Sequence, residues 1–351
     1  MSERARWVAA ALGRKLGLAF VVLFAAGAGV FLAVHAVPGD PVALRLKTPD
    51  PERVALERAR LGLDQPLVVQ WWNYQRQFVT GDWGESLNTG RSVRTDFAEF
   101  FPATLELGLA GLSLGIIVGL ATAVGAEVFR AQWLRRFSGL LGTIGLTVPI
   151  FWIGLLLLLV GSLVLGWFPS GGRFDLAAIP PPTRTGLLTI DTLLAGDLRG
   201  FGQAISHLAL PAACLALYPA AQVCGVLLGR LADPRLRTLM TSLRARGLHP
   251  SRIWIQHIAR VVSGPVIAVV GSNFGALLGG AVLTETVFSW PGIGRYLVDA
   301  VVNRDQYVVQ NVLLFILMLV VVVVRATDLL ARAINPVGMR ESAESTVRDG
   351  L

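Results

Sequence analysis

Six apolar stretches, each about as long as a bilayer is thick, constrain this chain more than any motif in it. Hydrocarbon leaves no backbone polar group a partner outside its own helix, so runs of about 20 apolar residues with few charges predict membrane-spanning helices. Such runs fall near 17–37, 103–128, 138–167, 207–230, 264–286 and 309–333. With 54% hydrophobic and 15% charged residues over 351 positions, an all-α polytopic membrane protein is predicted and a soluble domain excluded. The third run is too long for one straight helix, and Pro149 within it predicts a kink or a change of direction. Arg4, Arg6, Arg14 and Lys15 precede the first run, but no small-residue cleavage site closes it, which is the pattern of a retained signal anchor.

Charge sets the orientation. With the N-terminus inside, the inner segments 1–16, 130–137, 230–262 and 325–351 carry 18 of the 31 Lys and Arg residues, although they are the shorter set. The positive-inside rule then places both termini and the 231–263 segment in the cytoplasm. The net charge of +8 is on this reading a topology signal, with no Arg/aromatic strip of a nucleic-acid-binding module beside it. Cys214 and Cys224 lie ten residues apart in one run, on different helical faces, and read as core residues rather than as a disulfide or a metal pair.

Two outer segments are too long to be connectors. In 38–101, Asp50-Pro51-Glu52 supplies an N-cap, a first-turn Pro and an acidic first turn, and Gly62 a stop, so a helix of about 11 residues is predicted. A second helix starts at Pro66 and carries Trp71, Trp72 and Phe78, the composition of a helix at a membrane surface. Segment 169–205, with Pro180, Pro181, Pro182 and scattered Gly, predicts mostly irregular chain. Within the runs, Gly111, Gly115 and Gly119 recur every fourth residue, as do Gly271, Gly275 and Gly279, so that a second backbone can approach each helix.

Two enzyme signatures are missing: the chain has no HExxH or P-loop pattern, and His35, His207, His249 and His257 are scattered. Neither catalytic, cofactor-binding nor metal residues are therefore expected. An ion-coupled transporter places ionisable groups at the bilayer midplane, whereas Glu106, Glu127, Glu285, Arg325 and Asp328 fall near run ends, the last two as an i,i+3 anchor pair. These features describe half of a channel driven from outside its own sequence.

One cytoplasmic stretch stands out. Leu236, Leu239, Met240 and Leu243 share one helical face, with Arg237, Thr241 and Arg244 opposite, which predicts an amphipathic helix over 235–246. Gly247 ends it and Pro250 begins a second, with Ile253, Trp254, His257, Ile258 and Val261 on one face and Arg252, Gln256 and Arg260 on the other. A helix–Gly–helix elbow results, apolar on one side and charged at its tip. Periodicity alone does not separate a partner-docking elbow from a basic loop that binds anionic lipid.

Further stretches occur in a set order: "PGDPV" at 38–42, "LGLDQPLVVQ" at 61–70, "GDWGESL" at 81–87, "FPATLEL" at 101–107, "VPIFWIGLLL" at 148–157, "HLALPA" at 207–212 and "GGAVLTETVFSWPGIGRYLVDAVVNRDQYVVQN" at 279–311. On these the chain resembles the peptide/nickel family of binding-protein-dependent ABC importer permeases, and within it the B-type subunits of dipeptide permeases. The loop "LRTLMTSLRARG" at 236–247 fits the family pattern at Arg244, Ala245 and Gly247, has Arg246 where Lys is usual, and departs from it upstream.

The resemblance implies a type I ABC importer permease fold. It divides the chain into an N-terminus with first helix (1–37), an extracytoplasmic helical insertion (38–101), a permease core (102–333) with its coupling loop at 231–263, and a cytoplasmic tail (334–351). It implies a bacterial inner-membrane subunit that pairs with a homologous second permease as a heterodimer, with two ATPases inside that bind ATP and Mg, and with an extracytoplasmic substrate-binding protein. The cargo would be di- or oligopeptides, alternatively nickel or glutathione, and an ion-coupled secondary transporter is the reading outside the family. Arg237, Leu243, Arg244, Ala245, Arg246, Gly247 and Leu248 would couple to the ATPase. Glu285, Trp290, Pro291, Gly292, Arg295, Arg304 and Asp305 would form the docking surface for the binding protein or the outer gate, with Arg295 or Arg304 as the charge partner of Glu285. Pro38, Gly39, Asp40, Gly81, Asp82 and Gly84 carry the extracytoplasmic motif.

Overall fold

Side-chain caps at Asp197, Asp233 and His249 and prolines at 66 and 149 stand at the starts of helices of this protein. The computed structural model describes residues 17, 21–36, 42, 50–60, 62–175 and 177–334. Pro38, Gly39 and Asp40, the basic N-terminus before Gly17 and the tail after Ile334 lie outside the described residues, as does the side chain of Asp328, the expected partner of Arg325. The chain forms two compact units, one of Met1–Phe101 with Arg295–Val321, the other of Pro102–Gly294 with Val322–Leu351.

In the first unit, α1 (Val21–His35) is followed by α2 (Pro51–Arg60) and α3 (Leu67–Thr80). Both insertion helices begin and end at their signals. Asp50 Oδ1 accepts the Glu52 N–H at 3.2 Å, Gly62 has φ +68°, and Gly81 closes α3 with φ +80°, a conformation that a Cβ disfavours. Of the α3 aromatics, Trp72 points outward while Trp71 meets Phe24 edge-on at 4.4 Å. Tyr74 is the buried anchor: its hydroxyl donates to Gln310 O at 2.8 Å, and burial pushes its pKa above the usual phenol value. Phe97, near the start of α4 (Val93–Val128), sits between Trp83 at 5.3 Å and Phe315 at 4.4 Å, the latter on α11 (Gln306–Ile334).

In the second unit the central helix is α8 (Leu198–Leu231). The glycine row of α4 packs on it as expected: a Cβ at Gly115 or Gly119 would come within 2.7 Å of the Ala216 or Ala220 carbonyl oxygen. α5 (Gln132–Thr147) approaches α8 through Gly145, and α10 (Ala259–Val287) packs on it from another side. The second glycine row behaves differently. Gly271 abuts Thr327, but nothing lies within 4 Å of a Cβ at Gly279, and Gly280 makes the close approach instead.

Pro149 produces the expected change of direction. α5 and α6 (Ile150–Leu157), the latter extended by a π-helical segment Leu158–Val164, are bent by 114° at the break. Four helices are long and apolar enough to cross a membrane, five if this bent pair counts as one; α1 falls short of that length among the described residues. Two expected boundaries shift. Segment 169–205 is mostly irregular, as expected, but it holds α7 (Leu188–Leu194), and α8 starts inside it at Leu198, where Asp197 accepts the Gly200 N–H at 2.9 Å. α4 likewise begins ten residues before its apolar run. Hydropathy marks the part of a helix in contact with lipid, and caps mark its end.

Candidate functional site

The elbow is built from α9 (Pro234–Ala245), a helical turn Pro250–Arg252, and a π-helical segment Ile253–Ile258 that leads into α10. Asp233 caps α9 by accepting the Arg235 N–H at 2.8 Å. Leu236, Met240 and Leu243 are buried with Leu227, Leu231, Ile253 and Ile258 in one cluster, while Leu239 is exposed. Gly247 has φ +75°. Its N–H donates to Arg244 O at 2.9 Å and that of Leu248 to Leu243 O at 3.3 Å, and Leu248 packs in the same cluster as Leu243. Those two bonds and that apolar contact make a Schellman stop, which requires the left-handed residue that glycine supplies. Across the turn His249 caps the next helix, with Nδ1 accepting from Ser251 N at 3.4 Å.

The second face of the elbow departs from the expected pattern. Val261 is exposed and Val262 is buried, so the stripe reads 253, 254, 257, 258, 262. The π-helical turn holds more residues than an α turn and advances the register by one, which a strict 3.6 period does not anticipate. Arg244, Ala245, Arg246 and Gly247 lie exposed at the tip, with Leu243 and Leu248 holding it from beneath, whereas Arg237 lies in the first turn of α9, where its Nε–H donates to Leu231 O at 3.4 Å.

At the other end of the second unit, polar groups converge on α4. Glu285 is fully buried; its Oε1 accepts the Thr104 hydroxyl at 2.5 Å, and Thr104 Oγ1 in turn accepts the Ile293 N–H at 2.8 Å. The Gly292 and Gly294 backbones press on the carboxylate so closely that neither position has room for a Cβ. Trp290, also buried, donates Nε1–H to Ala103 O at 2.9 Å, and the Arg173 guanidinium lies 5.6 Å from its ring centre. Arg173 pairs with Glu106, whose carboxylate also accepts the Thr189 N–H and hydroxyl at 2.7 and 2.6 Å.

The first unit has its own junction. Asp305 is fully buried and accepts Ser86 Oγ–H at 2.7 Å and Leu87 N–H at 2.6 Å. Gly84, at φ +74°, faces the Tyr307 ring with no room for a Cβ, and Gly81 ends α3. Nearby, the equally buried Asp96 accepts from Thr89 Oγ–H at 2.5 Å and Tyr296 O–H at 3.0 Å and faces Arg91 at 3.2 Å. Among the described residues no cluster of His, Cys, Asp and Glu is placed to hold a metal.

A family model described as the binding-protein-dependent transport system inner membrane component matches residues 111–337, and the corresponding N-terminal model matches 9–108. The chain belongs to this family. Its relatives include the di/tripeptide transport system permease DppB of Pseudomonas aeruginosa, 38% identical over 93% of this chain and 97% of the relative. The dipeptide permease DppB of Escherichia coli K12 is 35% identical and the glutathione permease GsiC of the same strain 34% identical, each over 92% of this chain and 96% of the relative.

In this permease the quoted stretches fold together in pairs. "FPATLEL" gives Ala103 O, Thr104 and Glu106 to the junction that "TETVFSWPGIG" completes with Glu285, Trp290 and Ile293. "GDWGESL" and "RDQY" meet at Asp305 and Tyr307. Trp290, Gly292 and Asp305 are therefore internal and have no surface for a docking protein; of the residues expected at such a surface, Pro291 and Arg304 are exposed and Arg295 is half-buried. Residue patterns missed Thr104, Arg173, Thr189 and Ser86, because their partners lie up to 219 positions away in the chain.

Proposed function

We propose that this permease is one of two homologous transmembrane subunits of an ATP-driven importer for di- or oligopeptides, with two ATPases at its cytoplasmic face and a binding protein outside. The observation that carries the reading is the elbow, a Schellman-stopped helix whose apolar side is fixed to the bundle and whose arginine tip is exposed. A rigid knuckle on a packed helix can transmit a push, which a loosely tethered loop cannot. Closure of the ATPases would move the elbow and tip the bundle between inward- and outward-open states; hydrolysis would take place in the partners. The peptide cargo rests on the dipeptide permease relatives, and the glutathione permease at 34% identity favours glutathione as a second cargo reading.

Reconstitution with sister permease, ATPases and binding protein tests this. Gly247→Val forces a β-branched residue into a left-handed turn at a cost of about 1 kcal/mol or more. The variant should assemble and hydrolyse ATP yet import little dipeptide or glutathione. If uptake keeps pace with hydrolysis as in the parent, the elbow does not couple. The lipid-binding alternative predicts instead that only the combined loss of Arg244, Arg246, Arg252 and Arg260 is harmful.

A further inference from the structure

A break in an apolar helix at membrane depth leaves backbone polar groups that lipid cannot satisfy, so such breaks occur where protein buries them or where they line a water-filled cavity. The 114° bend between α5 and α6 is such a break. Val148 N–H still reaches Ile144 O at 3.1 Å, Pro149 has no N–H to offer, and Ile150 O accepts from the Cys214 thiol at 3.3 Å. Beside the bend lies a cavity of about 250 Å³, lined by Val148 and Ile150 and, facing them, Gly145, Gly280, Cys214 and Tyr218. Glycine makes the room, since a Cβ at Gly280 would come to 3.2 Å from Ile150 Cδ1. Among the described residues no charged side chain lines it. Apolar cavities of roughly 150 Å³ accept benzene, so this one admits an aromatic ring.

We propose that this cavity is a side-chain subsite on the translocation route, occupied in transit by an apolar side chain of the cargo peptide. The proposal rests on the peptide-importer reading. The backbone freed at the bend needs water, which an acyl chain does not bring, and broken helices beside a cavity are how transporters place their sites. A neutral wall gives no grip on the charged ends of a peptide, so occupancy is brief.

Cys214, 1% exposed, is a native reporter once Cys224→Ser removes the other cysteine of the chain. In the full complex in proteoliposomes, a charged methanethiosulfonate reagent should modify Cys214 at least about tenfold faster during ATP turnover than at rest, read by mass on the Cys214 peptide, and saturating diphenylalanine should slow it. Leu146→Trp, at the half-exposed mouth, should lower diphenylalanine uptake about tenfold and leave dialanine uptake within about twofold, the range a pocket's fit to one side chain supports. Should that variant fail to assemble, Leu277→Ala enlarges the cavity and should raise the diphenylalanine to dialanine ratio. Equal effects on both peptides, or no acceleration in turnover, overturn the proposal. Modification only by a membrane-soluble maleimide, in every state, assigns the cavity to lipid and overturns it too. Turnover-dependent modification in a complex that imports neither peptide overturns the cargo reading and the side-chain assignment with it, while leaving the cavity on the route.

Discussion

Asp191 shows how one carboxylate can hold a loop in place. Burial raises its pKa, but hydrogen bonds from the Thr185 backbone and hydroxyl, and from the backbone at Arg184 and Gly186, outweigh burial and leave the group below the usual 3.8. A carboxyl whose folded pKa is depressed contributes stability that is fully present above its unfolded value and shrinks as pH falls through the folded one. The loop at 184–191 should therefore be tightly held at pH 5 and above and loosen below about pH 4. Amide exchange across that loop between pH 6 and pH 3 measures this. Asp191→Asn should flatten the profile, and an unchanged profile in the variant would assign the loosening to another group.

At the scale of the helix, glycines divide into those that hold a backbone contact and those that do not. Gly115 and Gly119 face carbonyl oxygens of α8, whereas nothing lies within 4 Å of a Cβ at Gly139 or Gly142. Overpacking a close contact costs about 1–3 kcal/mol, occasionally more. Gly115→Val and Gly119→Val should each lower the thermal midpoint of the purified complex by that order, while Gly142→Val leaves it near the parent; fluorescence-detected size exclusion after heating reads the difference. The first glycine row was legible in the sequence, as were the α2 boundaries, the start of α3, the turn at Gly247 and the bend at Pro149, because each depends on residues within a turn or two of one another. The unequal second row was not, since Gly279 and Gly280 differ only in what happens to face them. Nor was the π-helical turn that exchanges Val261 for Val262, for no local residue type marks it. The burial of Trp290 and Asp305 was hidden for the same reason: their partners on 103 and 86–87 are brought there only by the completed fold.

At the scale of the molecule, the proposed importer opens outward and inward in turn, and groups that are costly to bury in one state bias that equilibrium. Glu285 is such a group, fully buried and seated between the Thr104 hydroxyl and the backbones of Gly292 and Gly294. Removing a carboxylate from water costs several kcal/mol even after relaxation, a cost that a neutral amide of the same shape does not carry. If Glu285 helps the outer end to open by regaining water, Glu285→Gln should favour the closed arrangement. The complex should then melt higher while peptide uptake and the stimulation of ATP hydrolysis by the binding protein both fall, by the five-fold or more that a coupling of about 1 kcal/mol allows. A carboxylate that merely braces the junction gives the opposite pairing, with a lower melting point and uptake per folded complex unchanged. Thr104→Val separates the two further. It removes the hydroxyl that holds the buried carboxylate, so a gate should open more readily and raise basal hydrolysis, whereas a brace should only weaken. Melting temperature, basal and stimulated hydrolysis, and uptake measured on one preparation of each variant decide between them.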